Sequence, residues 1–217
     1  MVYYPSRLRY VSALQYAPRG RSPTSQVSRT VTYKIKTDGF MGTTRVIAHA
    51  ARRVAEQHRQ VPFLQEALGP EVTLVPVPRS SPLRAGCLWP AEQICTCLLA
   101  EGLGRDIERC LVRTRPVPRS RIAATGQRPN PPEHYDSTDV RVPDAHPPPQ
   151  RIALVDDVIT RGSTFMGMVP RLQAAYPEVT IVCFALVRTA STGEVETILA
   201  PTDGTITYRE GQLVRQP

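Results

Sequence analysis

Long hydrophobic runs are missing from this chain. No stretch approaches the roughly 18 apolar residues of a membrane-spanning helix, so no membrane span is expected. The first residues, Met1-Val-Tyr-Tyr-Pro-Ser-Arg-Leu-Arg9, hold no uninterrupted apolar core and no small-residue cleavage signature. That argues against secretion and for a cytoplasmic location. Cysteine is sparse and irregular. The residues at 87, 95, 97, 110 and 183 have no disulfide-like spacing, and most fall in apolar patterns, as reduced core thiols do. Cys95-Thr-Cys97 lacks a second Cys/His pair at ligand spacing, so a zinc site is not expected there. Lysine is nearly absent: Lys34 and Lys36 stand against 25 arginines. No Gly-x-x-x-x-Gly-Lys-Ser/Thr segment occurs, which counts against nucleoside-triphosphate hydrolysis.

What is present is a chain of 217 residues, long enough to bury a full core, with one α/β domain plus additions as the natural expectation. The net charge of +8 admits phosphate-rich partners such as nucleic acid, pyrophosphate or phosphosugars. The arginines are scattered rather than gathered into a basic arm with interleaved aromatics, so charge does not choose among these. A coding bias toward Arg and Pro accounts equally well for the same composition.

Residues 1 to about 28, rich in Pro, Ser, Arg and Tyr, read as partly extended. Thr30–Lys36 alternates, with Val31, Tyr33 and Ile35 on one face, the pattern of a half-buried strand. From Thr43 to about Gln60, Val46, Ile47, Ala50 and Val54 recur at helical spacing, with Thr43 or Thr44 as N-cap. Val72–Pro78 is a short strand that its prolines bring to an end, followed by a basic loop, Arg79–Gly86. Pro90 opens a helix with an apolar stripe at Ala91, Ile94, Cys95, Leu98 and Leu99, closed by Gly102 or Gly104. Arg109–Arg113 is a further short strand. Residues 114–150 hold nine prolines and no sustained apolar period, and read as a loop that is disordered or functional. Val179–Val187 is a near-continuous apolar strand, as expected of a sheet centre buried on both faces. Turn signals at Asp203-Gly204 and Glu210-Gly211 suggest a hairpin-like addition at the end. Strands alternating with helices predict an α/β fold with a mainly parallel, doubly wound sheet, whose ligands sit outside the carboxyl ends of the strands. The expected division is an N-terminal extension or hood over 1–32, a core over 33–189, and a β-rich extension over 190–217.

One stretch carries chemistry: Arg151-Ile-Ala-Leu-Val-Asp-Asp-Val-Ile-Thr-Arg-Gly-Ser-Thr164. A buried apolar strand leads into Asp156 and Asp157. The turn Thr160-Arg161-Gly162-Ser163-Thr164 then opens a helix over Phe165–Tyr176, with Pro170 inside it. Backbone N–H groups at a helix start attract a phosphate, a glycine lets the backbone approach it, and carboxylates at a strand end accept hydrogen bonds from vicinal hydroxyls. The bland alternative is an ordinary strand–turn–helix connection with two solvated aspartates.

The stretch resembles the 5-phosphoribosyl 1-pyrophosphate (PRPP) binding motif of the type I phosphoribosyltransferases, over Ile152–Thr164. The order of further features is similar to the competence-protein ComF group of that fold. Val75-Pro-Val-Pro78 is followed by arginines and Gly86, and Leu111-Val-Arg-Thr-Arg115 leads into a basic loop with Gln127-Arg128. Two departures stand out. The N-terminal four-cysteine zinc ribbon common in that group has no counterpart, since residues 1–70 contain no cysteine. The Arg-Gly-Phe-Asn-Gln typical before the second helix is replaced by Arg84-Ala-Gly-Cys-Leu-Trp-Pro-Ala91.

The resemblance implies a Mg²⁺-dependent transfer of phosphoribose from PRPP to a nitrogenous acceptor, with release of pyrophosphate. It implies that Asp156 and Asp157 hold the ribose hydroxyls directly or through Mg²⁺, that Thr160, Arg161, Gly162, Ser163 and Thr164 hold the 5-phosphate, and that Arg79 and Ser80 form the pyrophosphate loop. Arg119 and Arg121 would belong to a flap closing over the site. No carboxylate follows the acidic pair in Val158-Ile-Thr160, which argues against an oxopurine acceptor of the salvage kind. The competing expectation is a catalytically silent member of the fold that senses PRPP or nucleotide, or handles single-stranded DNA. A homodimer is compatible with either; a membrane partner is not expected.

Overall fold

The computed structural model describes residues 2–118, 129–142, 148–191 and 193–217. In chain order the elements are β1 (Arg7–Tyr16), α1 (Pro23–Thr37), β2 (Phe40–Met41), β3 (Thr44–Arg45), α2 (Val46–His58), α3 (Pro62–Leu68), β4 (Thr73–Pro76), α4 (Pro90–Ala100) and β5 (Asp106–Ile107). They continue with β6 (Leu111–Arg113), α5 (Pro131–Asp136), β7 (Thr138–Val140), β8 (Arg151–Ile159), α6 (Ser163–Ala175), β9 (Thr180–Thr189), β10 (Leu199–Arg209) and β11 (Gln212–Gln216). Seven strands form one sheet in the order β11-β10-β1-β9-β8-β4-β5. The five from β1 to β5 run parallel, and the β10–β11 hairpin adds an antiparallel edge beside β1. The chain is an α/β protein with a mostly parallel central sheet. No helix among the described residues is long and apolar enough to cross a membrane.

The period-2 alternation of the central strands divides the core into two layers. On β8 and β9, Ala153, Val155, Phe184 and Leu186 pack into one cluster with Ile35 of α1, Val54 of α2, Leu64 of α3 and Leu98 of α4. Ile152, Leu154, Cys183 and Ala185 face the other way, against Phe165, Met166 and Leu172 of α6. Burial of each large side chain contributes roughly 1.5–3 kcal/mol, so central strands covered on both faces need continuous apolar runs rather than alternating ones.

Several expectations are corrected. Thr30–Lys36 is not a strand but the end of α1. Its buried stripe is Ser25, Ser28, Thr32 and Ile35, mostly small hydroxyl residues, so the helical period is invisible to a hydrophobicity reading. Ser22 caps that helix, its side chain accepting from Ser25 N–H at 3.2 Å, and Pro23 stands in its first turn. Within the stretch read as partly extended, residues 7–16 form a full strand between β9 and β10. The 32/33 boundary therefore falls inside α1, and Glu194 ties the connection after β9 to that helix through the Ser25 hydroxyl at 2.7 Å. α2 starts at Val46 with Arg45 as N-cap, because Thr44 and Arg45 pair with the preceding ribbon strand. Asp203-Gly204 lies within β10, and only Glu210-Gly211 makes the hairpin turn.

The proline-rich 114–150 segment is not structureless where it is described. Asn130 and Glu133 form a reciprocal capping box, and Pro131 stands in the first turn of α5, where a missing N–H costs nothing. α5 lies on α6 at Gly167, where a Cβ would come within 2.4 Å of Pro131 O. β7 pairs with β6. Four of the five cysteines are buried and all five are free.

Candidate functional site

β8 runs through the acidic pair to Ile159 and then turns directly into α6. Neighbouring residues on a strand point to opposite faces, so the two carboxylates straddle the sheet at its carboxyl rim. Asp157 continues the Ala153–Val155 face and meets α1: Lys36 Nζ lies 3.1 Å from Asp157 Oδ2. Asp156 continues the Ile152–Leu154 face, toward the layer of α6. Asp157 N–H donates to Asp156 Oδ1 at 2.8 Å, and Val158 N–H to Asp157 Oδ1 at 2.7 Å.

These surroundings treat the pair unequally. Part of the Asp156 residue is accessible, yet protein atoms crowd its carboxyl, and that desolvation lifts its pKa well above the usual carboxylate range. The like charge of Asp157 adds to the shift, and Lys36 opposes it. For Lys36, burial disfavours the ammonium, but the charge and hydrogen bond of Asp157 and the charge of Asp156 outweigh burial and leave its pKa raised.

A second cation stands on the Asp156 side. Arg113 of β6 is 3% exposed, and no carboxylate among the described residues is bonded to it. Its Nε donates to Arg79 O at 2.9 Å and its guanidinium to the Ser137 hydroxyl at 2.6 Å. Burial lowers its pKa to about 10, while the charge of Asp156 works in the opposite direction. Val117 N–H donates to Ser80 O at 2.8 Å. The strand and loop after β5 thus hold the Arg79–Ser80 loop by its backbone, beside the acidic pair. His134 lies in the same layer, 4% exposed, with neither ring nitrogen hydrogen-bonded. Burial, reinforced by the charge of Arg113, lowers its pKa to about 3 and keeps it neutral.

The turn after β8 is built by Gly162, which caps α6 at φ 90° with no side-chain cap. A Cβ there would lie 2.5 Å from Ile206 Cδ1 of β10, so both the backbone and the packing require glycine. Arg215 of β11 holds this turn from behind. It donates to Thr160 O at 2.6 Å, to Thr189 O at 2.5 Å and to the Tyr10 hydroxyl at 2.6 Å. Thr160 and Arg161 are exposed at the rim, and Ser163 and Thr164 form the first turn of α6.

The expected residues therefore assemble in part. Asp156, Asp157, Thr160, Arg161, Gly162, Ser163 and Thr164 lie on one continuous segment, with Arg79 and Ser80 in the loop after β4. Arg119 and Arg121, the expected flap residues, lie outside the described residues. Sequence reasoning missed Lys36, Arg113 and Arg215. Only Lys36 carried a signal, as one of two lysines. A cavity of about 180 Å³, lined by Arg9, Glu66 and Arg151 among others, lies at the opposite, amino-terminal end of the parallel strands.

A Mg²⁺ ion takes six oxygens and commonly draws one or two from carboxylates, leaving the rest to water and phosphate. The acidic pair fits that pattern, since the Lys36 ammonium already occupies a cation position on it. No group of three or more acidic, His or Cys ligands exists among the described residues, so an ion held by Asp156 and Asp157 would need its other ligands from water or a bound anion. No family model matches the chain, and no curated protein matches it.

Proposed function

We propose that the protein binds PRPP with Mg²⁺ and transfers its phosphoribosyl group to a nitrogenous acceptor, releasing pyrophosphate, on a sheet of the type I phosphoribosyltransferase kind. One observation carries this reading. An acidic pair and a glycine-turned helix start follow one another along β8–α6 at the carboxyl rim of parallel strands, with the Arg79–Ser80 loop fixed alongside by Arg113.

In this reading the α6 N-terminus and the hydroxyls of Thr160, Ser163 and Thr164 hold the 5-phosphate, where the helix dipole favours its charge. Asp156 and Asp157 accept hydrogen bonds from the ribose hydroxyls and hold the cation. When bound, Mg²⁺ supplies charge neutralisation at the departing pyrophosphate. Arg79 and Ser80 receive that pyrophosphate as negative charge builds on it. Arg113 positions them, and Arg215 positions the phosphate turn. The acceptor lies across C1 from this machinery.

The test is pyrophosphate release from PRPP and Mg²⁺ across a panel of nucleobases and amines, alongside calorimetry with PRPP. Saturable PRPP binding that Asp156→Asn and Asp157→Asn abolish supports the reading, and binding indifferent to both substitutions refutes it. The charge of +8 is equally compatible with a second reading, a DNA-handling protein without transferase activity. That reading requires salt-sensitive affinity for single-stranded DNA, and no gel shift at low salt would remove it.

A further inference from the structure

The acidic pair carries its own cation, and the manner of its attachment differs from that of Arg113 and Arg215. Arg113 is locked by the Arg79 carbonyl and the Ser137 hydroxyl, and Arg215 by two carbonyls and a phenol. Lys36 makes a single hydrogen bond among the described residues, 3.1 Å to Asp157 Oδ2. An ammonium is a compact point charge on a flexible stem, without the guanidinium fork that grips a carboxylate twice. It appears here in a chain that otherwise uses arginine for nearly every basic position. Lys36 stands in the last turn of α1, so its side chain can swing without unwinding the helix. Its side chain keeps 34% exposure and that of Asp157 19%, which gives a displaced ammonium a way to solvent.

We propose that Lys36 is an exchangeable counter-cation of the acidic pair: it holds Asp157 while the site is empty and yields that oxygen to an arriving divalent cation. The two compete for it. A Mg²⁺ ion binds a carboxylate oxygen at about 2.1 Å, and an ammonium hydrogen-bonded to the same oxygen would stand about 4–5 Å from the metal, where two cations repel. A bare metal is therefore opposed by Lys36 and binds weakly. A ligand that brings phosphate with its metal offers the released ammonium a new anion, so metal and phosphate ester bind together better than either alone. This inference rests on the reading that the pair receives a metal with a phosphorylated sugar.

The chain's two lysines make the exchange observable. Full-length protein grown with ¹³C-lysine shows two lysine side-chain ε signals, and Mg²⁺ is expected to move that of Lys36 toward its solvent-exposed position while leaving Lys34 in place. In parallel, Lys36→Gln is expected to tighten Mn²⁺ binding about tenfold, read from free Mn²⁺ by electron paramagnetic resonance, with Asp157→Asn in that background removing the gain. A Lys36 signal that stays fixed at saturating Mg²⁺ overturns the proposal. So does an unchanged Mn²⁺ affinity in Lys36→Gln, or no Mn²⁺ binding by either protein. If Lys36→Gln does not fold, the lysine signals of the native chain decide alone. Displacement of Lys36 without any PRPP binding sinks the transferase reading only, whereas PRPP and Mg²⁺ binding with Lys36 unmoved sinks this inference only.

Discussion

Neutralising one carboxylate or its neighbour is expected to change stability in opposite directions. Asp156 holds a proton in the folded protein over a pH range where the unfolded chain, with an ordinary value of 3.8, has released it. The folded state then binds more protons than the unfolded one, so stability falls as pH rises from 3.8 toward the folded pKa, and the penalty stands in full above it. Each pH unit in that window is worth about 1.4 kcal/mol, which sets a ceiling of about 4 kcal/mol at pH 7. Residual solvent contact reduces this to about 2 kcal/mol. Asp156→Asn removes the penalty and keeps an oxygen for Asp157 N–H. The unliganded variant is expected to gain about 2 kcal/mol at pH 7, or about 4–8 °C in Tm for a chain of this length. Asp157→Asn instead strands Lys36 and is expected to lose about 1–2 kcal/mol. If the proposed function holds, both variants are expected to lose PRPP binding. Urea unfolding at pH 7 and pH 4 checks the pattern, because the Asp156→Asn gain has to fade at pH 4, close to the unfolded chain's own value of 3.8. Equal destabilisation by both substitutions, or a gain that persists at pH 4, would refute the reasoning.

Three further outcomes follow from the same geometry. His134, with its pKa lowered to about 3 against an ordinary 6.5, costs stability as pH falls below 6.5, by about 2 kcal/mol at pH 5; His134→Leu is expected to flatten the acid limb of a stability–pH curve, and an unaltered limb contradicts the assignment. Gly162→Ala meets Ile206 Cδ1 at 2.5 Å in a positive-φ conformation and is expected to cost about 2–4 kcal/mol by thermal unfolding. Adding Ile206→Val should recover only part of that loss, since the backbone strain remains. Arg215→Met releases the Thr160 and Thr189 carbonyls, and PRPP affinity measured by calorimetry should drop about tenfold with little change in the circular dichroism of the fold. A wild-type affinity would show that the turn holds its shape unaided.

The readable parts of this chain were those whose signal is local. The Ile152–Val155 strand, the Asp156–Asp157 pair and the Gly162 turn sit on consecutive residues, and the apolar run of β9 announces a buried centre by composition alone. α1 escaped because its buried face is built from Ser25, Ser28 and Thr32, so the alternation of Val31, Tyr33 and Ile35 imitated a strand. β1 escaped because Arg7 and Arg9 obscure a strand whose centre is fully buried, and α5 because prolines mark helix starts as well as loops.

By itself the sequence determined the α/β class, the β8–α6 unit and the identity of the two carboxylates, because backbone periodicity and turn chemistry act between near neighbours. Tertiary structure decided what those carboxylates face. Lys36 reaches Asp157 across 121 residues of chain, Arg113 joins the Arg79 loop from 34 residues away, and Arg215 grips Thr160 from 55. Such partners are chosen by the order of strands and by which face of β8 each carboxylate takes. No local pattern encodes either: burial in the folded protein, with the like charge of Asp157, sets the protonation of Asp156, and Lys36 is the cation that stands on Asp157.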